Sequence, residues 1–131
     1  MMIKKVIFIL GLLSMSTTLQ AGAVSIKFVE FSRSPADWTV NVTLEHADTG
    51  WKHYADAWRV VDAKGNVLAT RTLWHPHVDE QPFTRSLSGV NIPAKMTKVF
   101  VEAHDKVHGW SKDRVMVDLA KSSGKRYTVK R

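Results

Sequence analysis

The sequence predicts an all-β domain, an immunoglobulin- or fibronectin-like β-sandwich of about seven antiparallel strands, and three observations carry that prediction. Short apolar runs alternate with polar residues at a period of two. Turn-forming residues separate those runs at regular intervals. No segment after residue 23 sustains a 3.6-residue apolar period. An eight-stranded barrel is the rival way to close such a chain.

In the first predicted strand, Val24, Ile26 and Phe28 alternate with Ser25, Lys27 and Val29. The second is the clearest: Trp38, Val40, Val42 and Leu44 alternate with Thr39, Asn41, Thr43 and Glu45. After a turn at Asp48-Thr49-Gly50, the stretch from Tyr54 to Val61 is apolar on both faces, which suits a central strand. Asp62-Ala63-Lys64-Gly65-Asn66 reverses the chain, and Val67 to Trp74 returns as its hairpin partner. A loop with Pro76 and Pro82 leads to a strand from Thr84 to Val90. Val99, Val101 and Ala103 line one face of the sixth strand, and Val115, Val117 and Leu119 one face of the seventh.

The start of the chain has the pattern of a cleaved signal peptide. Lys4 and Lys5 precede an apolar run from Val6 to Leu13, and Ala21-Gly22-Ala23 is an A-x-A signal. The run falls well short of the roughly 20 residues a membrane-spanning helix needs. Residues 1–23 are therefore read as the signal peptide, cut after Ala23 with a cut after Ala21 as the minor variant. Residues 24–120 are the sandwich and 121–131 a basic C-terminal tail. The domain is expected in the periplasm or secreted, with no transmembrane anchor after cleavage. The chain has no cysteine, which removes disulfides, thiolate nucleophiles, iron–sulfur clusters and a lipidated cysteine.

The formal charge is +7. Lys4 and Lys5 belong to the leader, and Lys121, Lys125, Arg126, Lys130 and Arg131 hold the rest of the excess. Basic and acidic residues balance between Val24 and Leu119. A nucleic-acid binder needs a basic stripe across its folded surface, so that class is excluded. The tail is read as a frayed, solvated end.

Strands that reverse at each turn place alternate connections at opposite ends of the domain. His46 and His53 bound the second connection, His75 and His77 lie in the fourth, and His104 and His108 flank the sixth. All six histidines fall at one pole, together with Trp51, Trp74 and Trp110 and with Asp48, Asp79, Glu80 and Asp105. Neutral imidazole ligates zinc or divalent copper, and carboxylates complete such sites. In extended chain, His75-Pro76-His77 points both rings to one side, as a chelate needs. His46 and His53 are read instead as turn-capping residues. Phe83, Arg85 and Leu87 share a strand face, so Arg85 is expected to brace Asp56 or Glu80.

Three segments carry a resemblance: Trp58-Arg59-Val60-Val61-Asp62 with Gly65-Asn66-Val67-Leu68, the long run from His75 to Leu87, and Ala103-His104-Asp105 with His108-Gly109-Trp110. The chain resembles a group of small, secreted, functionally uncharacterised bacterial β-sandwich proteins. That resemblance implies a stand-alone periplasmic β-domain and supplies neither an activity nor a ligand.

The residues thus point to a periplasmic binding module for copper or zinc. Its ligands would be His75, His77, His104 and His108, with Asp56, Glu80, Arg85 and Asp105 in support. Its partner would be another periplasmic protein or a metal-handling system. The alternative is a metal-free domain docking a protein or glycan through Trp51, Trp74 and Trp110. An enzyme is not expected; Glu80 is the one candidate general base, and no nucleophile–base pair is visible.

Overall fold

A computed structural model describes residues 22–131. The predicted leader lies outside the described residues except for Gly22 and Ala23. The strands are β1 (Ser25–Arg33), β2 (Trp38–Glu45), β3 (Ala55–Val61), β4 (Val67–Thr72), β5 (Phe83–Val90), β6 (Lys98–Asp105), β7 (Gly109–Asp118), β8 (Ser123–Gly124) and β9 (Tyr127–Lys130). They form two sheets, ordered β5-β2-β1-β9-β8 and β4-β3-β6-β7. Both sheets are open, so the molecule is a sandwich and the barrel is excluded. Placing β3 beside β6 and β5 beside β2 is the Greek-key exchange expected of an immunoglobulin-like chain. No helix among the described residues is long and apolar enough to cross a membrane.

The core fills the space between the inner faces. Phe31, Val40, Val42 and Leu44 come from one sheet and Trp58, Val60, Val99, Val101 and Val117 from the other, all fully buried. β2 shows the alternation at its cleanest, with Trp38, Val40, Val42 and Leu44 buried between half-exposed neighbours. The gap between the sheets at the β4/β5 side is spanned by Arg71, whose Nε donates to the Ser86 carbonyl at 3.0 Å.

Three sequence expectations change. The first strand slips phase: a bulge between Ile26 and Phe28 turns Phe28 outward and puts Val29 and Phe31 in the core. β3 carries a second irregularity, between Ala55 and Ala57, against β6. It turns Asp56 from the core row of Trp58 and Val60 to the outer face, beside His104.

The third change concerns residues 121–131, which are not a frayed tail. β9 pairs in parallel with β1, from Val29↔Tyr127 to Ser32↔Lys130, and Tyr127 and Val129 are buried. Arg126 adopts a left-handed φ of 65° at the turn into β9. Its guanidinium donates to the Ile26 carbonyl at 2.8 Å and pairs with Asp113 at 3.0 Å. One of the basic residues taken for a solvated end thus ties β9 to both sheets. With these two added strands the sandwich has nine among the described residues, not seven.

Candidate metal centre

Two core-facing rows run out at the pole where the β2–β3, β4–β5 and β6–β7 connections meet. The buried row of β2 continues past Leu44 to His46, which is 3% exposed. The row Val99, Val101, Ala103 of β6 continues to Asp105, which is fully buried. A polar group on such a row is costly unless partnered. These two face each other, with His46 Nε2 3.8 Å from Asp105 Oδ2.

His53, on the loop entering β3, brings its Nε2 to 3.3 Å from Asp105 Oδ1, and its ring meets that of His46 edge-on at 4.8 Å. The loop is shaped for this by Gly50, whose φ of 149° lets the chain bend back into a bridge with His53. Among the described residues, His46, His53 and Asp105 are the group whose ligand atoms converge, all within 4.8 Å of one another.

Asp48 holds the group from behind. Its Oδ1 accepts from His46 Nδ1 at 2.5 Å and from the Ala55 N–H at 3.0 Å, and its Oδ2 accepts from the His77 N–H at 2.7 Å. Gln81 ties the same two connections together, accepting from the His46 N–H at 3.0 Å and donating to the His77 carbonyl at 2.9 Å. A carboxylate on the remote nitrogen of an imidazole fixes its orientation and leaves the other nitrogen for a ligand.

Asp105 is divided between two tasks. Its Oδ1 accepts from the backbone N–H groups of Val107 and His108, at 2.8 and 2.7 Å, and from His108 Nδ1 at 3.1 Å. Gly109, at φ 74°, closes that turn. Its Oδ2 is buried and has no hydrogen-bond partner. Burial alone pushes the carboxyl up, but the hydrogen bonds from His108 and Val107 outweigh it and hold Asp105 below the ordinary carboxylate range. It is therefore a carboxylate at neutral pH, with one free oxygen turned toward His46.

The carbonyl oxygen of Gly22 closes the cup. His46 Nε2 donates to it at 2.6 Å, and His53 Nε2 lies 3.3 Å away. Both nitrogens of His46 therefore face oxygen acceptors, Asp48 on one side and Gly22 on the other.

All six histidines do lie at one pole, but in three groups. His77 is buried, stacked on Phe83 at 4.0 Å, with His75 exposed beside it at 4.6 Å. Arg85 donates to His77 Nε2 at 2.7 Å, so that nitrogen is already used and faces a fixed positive charge. Burial first, then Arg85 and His75, hold His77 below its ordinary pKa. His104 is on the outer face, its Nδ1 bonded to Asp56 at 2.5 Å and its ring edge-on to Trp110 at 4.9 Å.

The quartet of His75, His77, His104 and His108 is thus not brought together, and Asp56 supports His104 alone. Of the four, His108 adjoins the centre, through Asp105 and through its ring, 5.1 Å from that of His53. The expected brace of Arg85 and Glu80 is present at 3.6 Å, on the side of His77. Trp51 and Trp74 are 68% and 74% exposed, whereas Trp110 lies beneath Arg59, 3.7 Å from its guanidinium.

His46 and Asp105 carried a readable signal: each is the next member of a period-two apolar row. Strand direction placed Asp48 at this pole, but its role, like that of Gln81, arises where two loops meet and left no mark in the sequence.

Fold and site together describe a small β-sandwich with a histidine–carboxylate cup at one pole. The chain is 41% identical over 78 residues to a protein of Halomicrobium mukohataei described as "Putative lipoprotein". That match covers 60% of this chain and 38% of the relative, so the chain spans well under half of that protein. No family model and no solved structure matches it.

Proposed function

We propose that the domain is an extracytoplasmic binding module for a divalent transition metal, zinc or copper(II), held by His53 Nε2, Asp105 and His46 Nε2, the last exchanging its contact with the Gly22 carbonyl for the ion. The observation that carries this reading is Asp105 Oδ2, a buried carboxylate oxygen without a hydrogen-bond partner, turned toward His46 while Oδ1 of the same carboxylate faces His53. A leftover lone pair in a polar cup is what a cation would use. Two nitrogens and a carboxylate suit zinc or copper(II), and such a set leaves further positions open. Ligand bonds of about 2.1 Å require the three groups to close in slightly around the ion.

The leader pattern and the relative's description as a lipoprotein support a place outside the cytoplasm. A binding role, with delivery to or sensing by another extracytoplasmic protein, fits better than catalysis, since Glu80 is paired with Arg85 in a different group.

The test is zinc and copper(II) binding by the purified protein, measured by calorimetry and metal analysis. His53→Ala and Asp105→Asn should each abolish tight binding, while His75→Ala and His104→Ala should not. His53 is part-exposed, so its loss leaves the fold intact even if changes at Asp105 do not. Equal binding in all four variants, or none in the parent protein, overturns the assignment.

A second reading rests on the exposed Trp51, Trp74, Val78 and Val107 at the same pole. It is a docking surface for a protein or glycan. Loss of partner capture in Trp51→Ala and Trp74→Ala, with unchanged metal binding, would favour it.

A further inference from the structure

Gly22 is built into the centre rather than merely leading up to it. Its carbonyl oxygen lies where a ligand of His46 and His53 would lie. A Cβ built on it would collide with the His108 ring. Three imidazoles thus surround one glycine, and no bulkier residue fits without moving His108. A residue discarded with the leader would have no cause to be fitted in this way.

On this ground we infer that the leader is removed after Ala21 and not after Ala23, and that Gly22, as the new first residue, is itself a metal ligand through its α-amine and carbonyl oxygen. The inference rests on the metal reading proposed above. The nitrogen and carbonyl oxygen of one residue are separated by three bonds, about 2.7–3.6 Å, and close a five-membered ring on a metal. Once nothing precedes Gly22, the freed residue turns so that its amine reaches the ion and its carbonyl oxygen leaves His46 Nε2 for the metal. In the uncut chain the same nitrogen is an amide, which binds such ions poorly. The carbonyl then accepts from His46 Nε2 and occupies the nitrogen that the metal needs. Export would therefore complete the site: the precursor is capped by its own backbone, and cleavage converts the cap into a chelate.

Two measurements decide this. Mass spectrometry of the protein recovered from the periplasm of an expressing bacterium should show a chain beginning at Gly22; a chain beginning at Val24 overturns the inference. Three forms with defined starts, at Ala21, Gly22 and Val24, are then titrated with copper(II) and zinc. The Gly22 form should bind at least about tenfold more tightly than either of the others, as a tethered extra ligand predicts. Its copper(II) spectrum should show a nitrogen ligand that N-terminal acetylation removes. Equal affinity in the three forms refutes a role for the terminus while leaving the His46, His53 and Asp105 site standing. Absence of binding in all three removes that site and this inference with it.

Discussion

His46 and Asp105 end the core-facing rows of two strands in opposite sheets and meet 3.8 Å apart at one tip of the sandwich. The apolar interior therefore finishes in a polar pair, and what stabilises that pair decides how the tip behaves.

Asp48 aims His46, so its effect on the metal should be indirect. Asp48→Asn keeps an oxygen for His46 Nδ1 but turns an amide N–H toward the His77 N–H. Metal affinity should fall about 10–100-fold, the usual cost of losing an orienting carboxylate. Calorimetry on the folded variant checks this, and unchanged affinity would show that Asp48 serves the fold alone.

His77 should make stability depend on pH. Burial holds its folded pKa below the ordinary 6.5, so the unfolded chain binds more protons as the pH drops past that value. The contribution is complete above pH 6.5 and is lost as pH falls toward the lower folded pKa. His77→Gln should flatten the decline in Tm between neutral pH and pH 5, measured without metal. An identical decline in the variant would place the sensitivity elsewhere.

Residues 121–131 should be indispensable. Burying Tyr127 and Val129 is worth roughly 3–6 kcal/mol together, at the usual value for large apolar side chains. A chain ending at Ala120 should lose about that much in urea unfolding. Arg126→Ala, which frees the turn from Ile26 and Asp113, should lose a smaller part. No loss on truncation would mean that β9 adds nothing to the sheet.

Trp58 is fully buried, and its Nε1 has no hydrogen-bond partner. Trp58→Ala should cost about 3–5 kcal/mol through the cavity it leaves. Trp58→Phe should cost much less, because it removes the unpaired N–H together with part of the ring. Equal costs for the two would contradict that unpaired group.

The architecture was legible in the sequence because each of the seven long strands announces itself by alternation or by a turn. Gathering the histidines at one tip followed from strand direction alone. The failures have local causes. Phe28 and Asp56 are turned to unexpected faces by bulges, which shift a period-two pattern without altering composition. β9 was hidden because its alternation of Tyr127 and Val129 with Thr128 and Lys130 spans four residues amid basic ones. The histidine quartet is divided for a different reason. His75 and His77 form the more conspicuous motif, but Arg85 and Phe83 already occupy His77. His46 and Asp105 are distant in sequence, and their meeting depends on which sheet each strand joins.

Because β9 runs parallel to β1, the two ends of the described stretch leave from opposite tips. Gly22 lies among the imidazoles, whereas Arg131 reaches back to the Leu119 carbonyl and over the Trp38 ring. A molecule immobilised through its last residue would hold the cup out toward the surrounding solution.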